Sequence, residues 1–264
     1  MLRSRHLMQP LPHSVNVRYA QPDNPREFRI VETNVVNQKR IPGPCSVVRD
    51  NPHPGQGTVV VLGTPRGGTS VVAGICHHLG ARTGLDIDRS NMEDVRFRSI
   101  LRSENRVQLA REYLEQLHQL GPLVGAKDPS AIDHLAEVYP LIPSPILVVV
   151  SRDVYASAQR EVVEGHEFFE ILRTTIRRKY AILDFVESVN DPVILVTYER
   201  MMQQPLSAVR SLARFVVGDA PDRLINLTAR LVQPHADMPH DVDFVASRAR
   251  WEREQFLGGS GSVA

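Results

Sequence analysis

The sequence predicts a three-layer α/β fold, a parallel sheet with helices on both faces. Three apolar runs carry that expectation: TVVVLG from Thr58, ILVVVS from Ile146 and PVILVT from Pro192. Each is short, uninterrupted and rich in β-branched residues, as strands buried on both faces must be. Each is also followed by a segment of helical length, and strands alternating with helices call for a parallel sheet with crossover helices.

Taken in order, residues 1–57 are polar, Pro-rich and aperiodic and end in RDNPHPGQG, so they read as an N-terminal arm without a core of its own. Within it, EFRIVETNVV offers one strand. The α/β domain is expected over 58–257 and a flexible GGSGS-containing tail over 258–264. After the first core strand, residues 69–79 form a helix, with Thr69 available to cap it and Gly80 to stop it. Residues 91–121 read as helix with a break near Ser103. LVGAKDPS gives a short strand that leaves Lys127 at its end, and AIDHLAEVY the helix after it. Val154 to Val189 is helical with a break near Gly165. Helix signals continue after the third core strand to Phe215, and DFVASRARWEREQF supplies a final helix. No internal repeat is present.

Composition narrows the function. With 42% hydrophobic and 23% charged residues in 264, the chain is a globular protein with one sizeable core. A formal net charge of +1 excludes a general nucleic-acid or anionic-membrane binder, so any positive field is local. The only cysteines, Cys45 and Cys76, are far apart in sequence, which argues against a disulfide framework or a zinc site and for a reducing compartment. No run is long enough to span a bilayer, and the first residues lack the apolar centre of a secretory signal. They bear arginines and no acids, as an organelle transit peptide does, but the expected location is the cytoplasm.

The chemistry concentrates in GTPRGGTS, Gly63 to Ser70, between the first strand and its helix. A nucleoside-triphosphate loop needs Gly, four residues, Gly, Lys and then Ser or Thr. Gly63, Gly68 and Ser70 fit, but Thr69 stands where the lysine belongs, and Arg66 sits on the crest. Gly67 and Gly68 allow a phosphate close to the backbone, Thr69 and Ser70 offer hydroxyls, and a helix N-terminus favours an anion. The bland alternative is a tight strand–helix turn with an incidental arginine. Ligands of such sheets sit beyond the carboxyl ends of the strands, so Thr64–Ser70, Lys127–Ser130, Ser151–Arg160 and Tyr198–Arg200 share one rim.

GTPRGGTS resembles the phosphosulfate-binding loop of the sulfotransferases. VVVSRD is similar to the strand whose arginine holds the donor's 3′-phosphate, VGAKDP to a Gly-x-Lys-x-Pro stretch, and VTYERMMQQPLSAVRSLARFV to the segment that closes the family's core. The resemblance spans about Thr58 to Val217. It implies a P-loop-like sulfotransferase fold and 3′-phosphoadenosine 5′-phosphosulfate as co-substrate, without a metal. It also accounts for the missing lysine, because the donor's 5′ end is one phosphate joined to a sulfate and not a magnesium-chelated triphosphate.

By that resemblance Pro65, Arg66, Gly67, Gly68, Thr69 and Ser70 hold the phosphosulfate, with Arg66 meeting charge on the bridging oxygen as the S–O bond breaks. Arg152 holds the 3′-phosphate, the alternative being a plain surface charge. Relatives carry a serine eight residues later, where Arg160 stands here; Ser157 is the alternative partner. The acceptor's proton needs a base. Lys127-Asp128-Pro129 lacks the histidine of the phenol- and steroid-type enzymes, which leaves Glu93, and after it Asp94, as candidates; the alternative is that this pair sits at a helix N-terminus for the dipole. Lys127 assists the leaving group or anchors Asp128; the structural alternative is an ion pair at the rim. His77 and His78 lie on the loop helix, where packing or solvation is expected. His235, Asp237, His240 and Asp241 in PHADMPHD match no metal-ligand spacing and read as a loop. Trp251 is either an adenine stacker or a packing residue.

The expected acceptor is a hydroxyl or amine of a carbohydrate, glycolipid or small molecule. Two other readings stay open: a nucleotide-dependent phosphotransferase on the same loop, and a binding protein that has lost its chemistry.

Overall fold

The computed structural model describes residues 16–19, 30–33, 43–162, 167–232 and 244–259. PHADMPHD and the expected break at Gly165 lie outside these residues. The chain forms two compact units, Met1–Ile41 and Pro42–Ala264. In the first, β1 (Asn16–Tyr19) pairs antiparallel with β2 (Ile30–Thr33), so the stretch expected to give a strand does give one.

The second unit opens with β3 (Cys45–Arg49) and β4 (Gly57–Leu62), the latter leading through the loop into α1 (Thr69–Leu79). Two short pieces, β5 (Arg82–Thr83) and the pair β6 (Ile87–Asp88) with β7 (Glu93–Asp94), precede α2 (Val95–Arg102) and α3 (Arg106–His118). β8 (Leu123–Lys127) is followed by one helical turn, α4 (Leu135–Val138), where a full helix was expected. β9 (Pro145–Ser151), α5 (Val154–Val162) and α6 (Phe168–Ser188) come next, then β10 (Val193–Thr197), α7 (Tyr198–Gln203), α8 (Pro205–Leu212), α9 (Asp222–Leu231) and α10 (Phe244–Gly259).

The six-stranded sheet runs β3-β10-β9-β4-β8-β5 and is parallel except for the edge strand β3. That edge strand comes from within the stretch read as an arm. Its exposed Val47 and Val48 lack the clean alternation that marks a strand in sequence.

Both faces of the central strands are buried, which is why they are apolar throughout. Val59, Val61, Val148, Val150, Ile194 and Val196 face α1, α8, α9 and α10. Val60, Leu62, Leu147, Val149, Val124 and Val193 face the opposite layer of α2, α3, α4 and α6. The expected three-layer sheet with helices on both faces is the observed fold. Because β4, β8, β9 and β10 are parallel and in register (Val61 beside Lys127, Leu62 beside Val149, Thr197 beside Ser151), their carboxyl ends open on one rim.

Trp251 is 8% exposed, packs in the α1-side core and lies under the Arg223 guanidinium at 5.4 Å from the ring centroid. Packing is therefore its role, and the adenine-stacking alternative is not what the fold shows.

Candidate active site

The loop from Gly63 to Gly68 makes a sharp turn between β4 and α1. The Gly67 N–H donates to the Thr64 carbonyl at 2.9 Å, and a Cβ at Gly67 would stand 2.6 Å from that oxygen. Gly68 has φ 89°, and a Cβ there would lie 2.1 Å from Cδ2 of Tyr198. This glycine, not the hydroxyl of Thr69, occupies the cap position of α1; Thr69 is inside the helix and buried. Arg66 has φ 56°, a conformation a non-glycine residue rarely adopts, so the crest holds local strain of the kind stored at functional loops.

Around this loop the rim assembles one cleft of about 320 Å³, whose lining includes Pro65, Arg66, Gly68, Thr69, Ser70, Glu93, Lys127, Arg152 and Arg160. Lys127 enters from the end of β8. Its side chain is 1% exposed, and its ammonium donates to the Asn91 carbonyl (2.9 Å), Glu93 Oε1 (3.0 Å) and Ser70 Oγ (3.3 Å). Burial lowers the Lys127 pKa from its ordinary value, while the Glu93 carboxylate opposes that shift. A cation thus stands beside Ser70, next to the position whose lysine the loop lacks. Sequence spacing could not show this, because the lysine comes from a neighbouring strand.

Arg152, at the end of β9, is tied into the same structure. Its Nη1 donates to the Arg66 carbonyl at 3.0 Å, and its guanidinium lies 4.5 Å from the centroid of the Tyr198 ring. Lys179 of α6 donates to the Arg152 carbonyl. Nε of Arg152 is buried without a hydrogen-bond partner among the described residues, an unmet donor in the cleft wall. Tyr198 therefore fills two roles, pressing on Gly68 and supporting Arg152. The sequence placed it on the rim but gave no sign of these contacts.

The two expected carboxylates part ways. Glu93 lines the cleft, its Oε1 held by Lys127 and its Oε2 by Arg98. Asp94 is fully buried and caps α2: Oδ1 accepts from the Phe97 N–H at 2.8 Å, and Oδ2 from the Leu85 N–H at 2.6 Å and the Tyr113 hydroxyl at 2.7 Å. It lies outside the cleft lining, where the helix-terminus alternative put it.

Of the two partners offered for Arg152, Arg160 lines the cleft. Ser157 is buried and donates its hydroxyl to the Asp153 carbonyl one turn back. Gly67 is buried beneath the loop crest. Among the described residues Lys127 does not hydrogen-bond Asp128: Oδ1 of Asp128 closes a local turn with the N–H and hydroxyl of Ser130, and its Oδ2 is buried without a hydrogen-bond partner. Ser90, Asn91 and Glu161 also line the cleft and were not singled out in the sequence. Asn91 announces itself only by its side chain, which accepts from the Glu93 N–H at 2.8 Å and fixes the turn before β7.

On the loop helix, His78 is 1% exposed and hydrogen-bonded to Thr228 at 2.8 Å and Ser247 at 3.1 Å; burial lowers its pKa to about 4. It is a structural link from α1 to α9 and α10. Among the described residues, no helix is long and apolar enough to cross a membrane, and no group of three His, Cys, Asp or Glu residues is placed to hold a metal ion.

No protein-family model matches the sequence, and no curated protein does. Among solved structures, the chain is similar to the sulfotransferase domain from the curacin biosynthetic pathway, with a TM-score of 0.49 and 14% identity over 67% of this chain and 78% of that one. It is similar to the sulfotransferase domain from the olefin synthase of Synechococcus PCC 7002, with a TM-score of 0.42 and 17% identity over 77% and 98% of the two chains. Sulfotransferase STF9 from Mycobacterium avium gives a TM-score of 0.42 and 17% identity over 67% and 68%.

Proposed function

We propose that the chain is a sulfotransferase that moves a sulfuryl group from 3′-phosphoadenosine 5′-phosphosulfate to a hydroxyl or amine of a carbohydrate, glycolipid or small molecule. The observation that carries this reading is the cleft's charge arrangement. Arg66, Lys127, Arg152 and Arg160 converge on a glycine loop whose own lysine is missing. The residues present fit the donor: the Gly68 backbone at the α1 N-terminus and the Ser70 hydroxyl suit a phosphosulfate, and the unmet Nε of Arg152 suits a second anion.

Bound there, the donor supplies the sulfuryl group. The N–H groups from Gly68 to Ser70 and the guanidinium of Arg66 would orient its 5′ end. Lys127, held at Ser70 by Asn91 and Glu93, places a positive charge where negative charge grows on the leaving phosphate oxygen. Arg152, braced by Tyr198, takes the 3′-phosphate together with Arg160. Glu93, the one carboxylate of its pair in the cleft, takes the acceptor's proton as the new S–O or S–N bond forms. The cleft's location in the chain's native setting is proposed to be the cytoplasm.

Transfer of labelled sulfate from the donor to a panel of sugar, lipid and small hydroxyl or amine acceptors tests the reading. Incorporation that needs the intact chain supports it. No transfer to any acceptor, with the nucleotide product still bound, favours a binding protein without chemistry.

A further inference from the structure

The α6 helix presents two unlike faces. Ile171, Thr175, Ile182 and Val186 are buried against the rest of the fold. On the opposite side Phe169, Ile176, Tyr180 and Leu183 are 66%, 38%, 57% and 50% exposed. Single exposed apolar residues are ordinary, but these four align at helical spacing along a 21-residue helix. With Arg173 and Glu187 they complete a four–three repeat, which is the seam of a helix pair. The helix is firmly seated: Lys179 holds it to Arg152 at the end of β9, and Arg178 pairs with Asp133 at 3.2 Å.

We infer that α6 is a homodimer interface, in which the seam packs antiparallel against α6 of a second copy. The charges choose both partner and direction. In a parallel pair Arg173 would face Arg173, and Glu187 would face Glu187. In an antiparallel two-fold pair Ile176 packs on Tyr180 of the second copy, and Arg173 lies beside that copy's Asp184 and Glu187. The self-complementary pattern is what an isologous interface requires. Arg173 spends its charge at present on an exposed pair with Glu170, at 2.9 Å with both side chains more than 60% exposed, a contact of little stability that the interface can replace. The same carboxylates, Asp184 and Glu187, make the seam a poor match for an anionic lipid surface.

The test is sedimentation equilibrium of the full chain across a concentration series. The wild type is expected to dimerise. Tyr180→Glu should raise the dimer dissociation constant about tenfold or more, the scale of losing one interface anchor, with an unchanged melting profile at low concentration. The charge pattern is tested by two chains, Arg173→Glu and the double variant Asp184→Arg with Glu187→Arg. Each alone places like charges together across the two-fold and should be monomeric. Mixed, they place opposite charges together at both ends and should associate. A wild type that stays monomeric at every concentration overturns the inference, as does a dimer indifferent to Tyr180→Glu. Charge variants that fail to associate when mixed overturn the antiparallel register.

Discussion

Nζ of Lys127 lies 3.3 Å from Oγ of Ser70, so a lysine at the end of β8 reaches the loop that has none of its own. The ammonium is fixed there by Asn91 and Glu93. Replacing it with methionine keeps the length of the side chain and removes the charge. Lys127→Met is expected to lower turnover by roughly 10²–10³, the scale of losing one transition-state donor. Steady-state kinetics with saturating donor checks this; unchanged turnover would remove Lys127 from the chemistry.

Glu93 and Asp94 should separate cleanly into chemistry and stability. Glu93→Gln keeps the shape and an acceptor for Lys127 but removes basicity, so turnover should fall roughly 10²–10⁴ with product-nucleotide affinity nearly unchanged. Asp94→Ala removes the α2 cap and strands the buried Tyr113 hydroxyl and Phe97 N–H and the half-buried Leu85 N–H. It should cost about 2–5 kcal/mol of stability, from one lost cap and the unmet donors. Denaturant unfolding and kinetics on both variants decide the matter. A stable Asp94→Ala with abolished turnover would exchange the two roles.

Gly68 is required by both its φ of 89° and the Tyr198 ring against it. Gly68→Ala must shift the ring or the loop, so product-nucleotide binding should be lost even where the fold survives, at a cost of about 1 kcal/mol or more. Titration calorimetry with the folded variant provides the readout, and wild-type affinity would show that the loop backbone does not bind the ligand.

His78 makes stability depend on pH. Its folded-state pKa, about 4, lies below the ordinary 6.5, so the unfolded chain binds the extra proton first as pH falls. Stability tied to this residue is complete above pH 6.5 and is lost progressively toward pH 4, on the order of 3 kcal/mol in all. His78→Gln should flatten that part of the profile in urea unfolding; an equal slope in both proteins would show that other groups set it.

The fold was legible because β4, β9 and β10 are buried on both faces and so carry continuous apolar runs, while Gly80 marks the end of α1. The edge strand β3 was missed because exposure on its faces erases the pattern. In the site, the glycine loop, Arg152 and Arg160 were readable as sequence-local features at strand ends. The capping role of Asp94 was readable only as one of two alternatives, since an acid before a helix looks the same in a cap and in a cleft. What no spacing could reveal are the contacts made across the sheet: Lys127 with Ser70, Tyr198 with Gly68, and Arg152 with the Arg66 carbonyl.

The central claim is that this loop takes a phosphosulfate nucleotide and not a magnesium-bound triphosphate. Thermal unfolding with adenosine 3′,5′-bisphosphate, adenosine 5′-phosphate and ATP–magnesium tests it most directly. The bisphosphate should stabilise the chain by about 2.7 kcal/mol at a hundredfold excess over its dissociation constant. Adenosine 5′-phosphate should do far less, and Arg152→Ala should bring the two nucleotides level. Stabilisation by ATP–magnesium that matches or exceeds the bisphosphate, and that a chelator abolishes, would contradict the account and establish the phosphotransferase reading in its place.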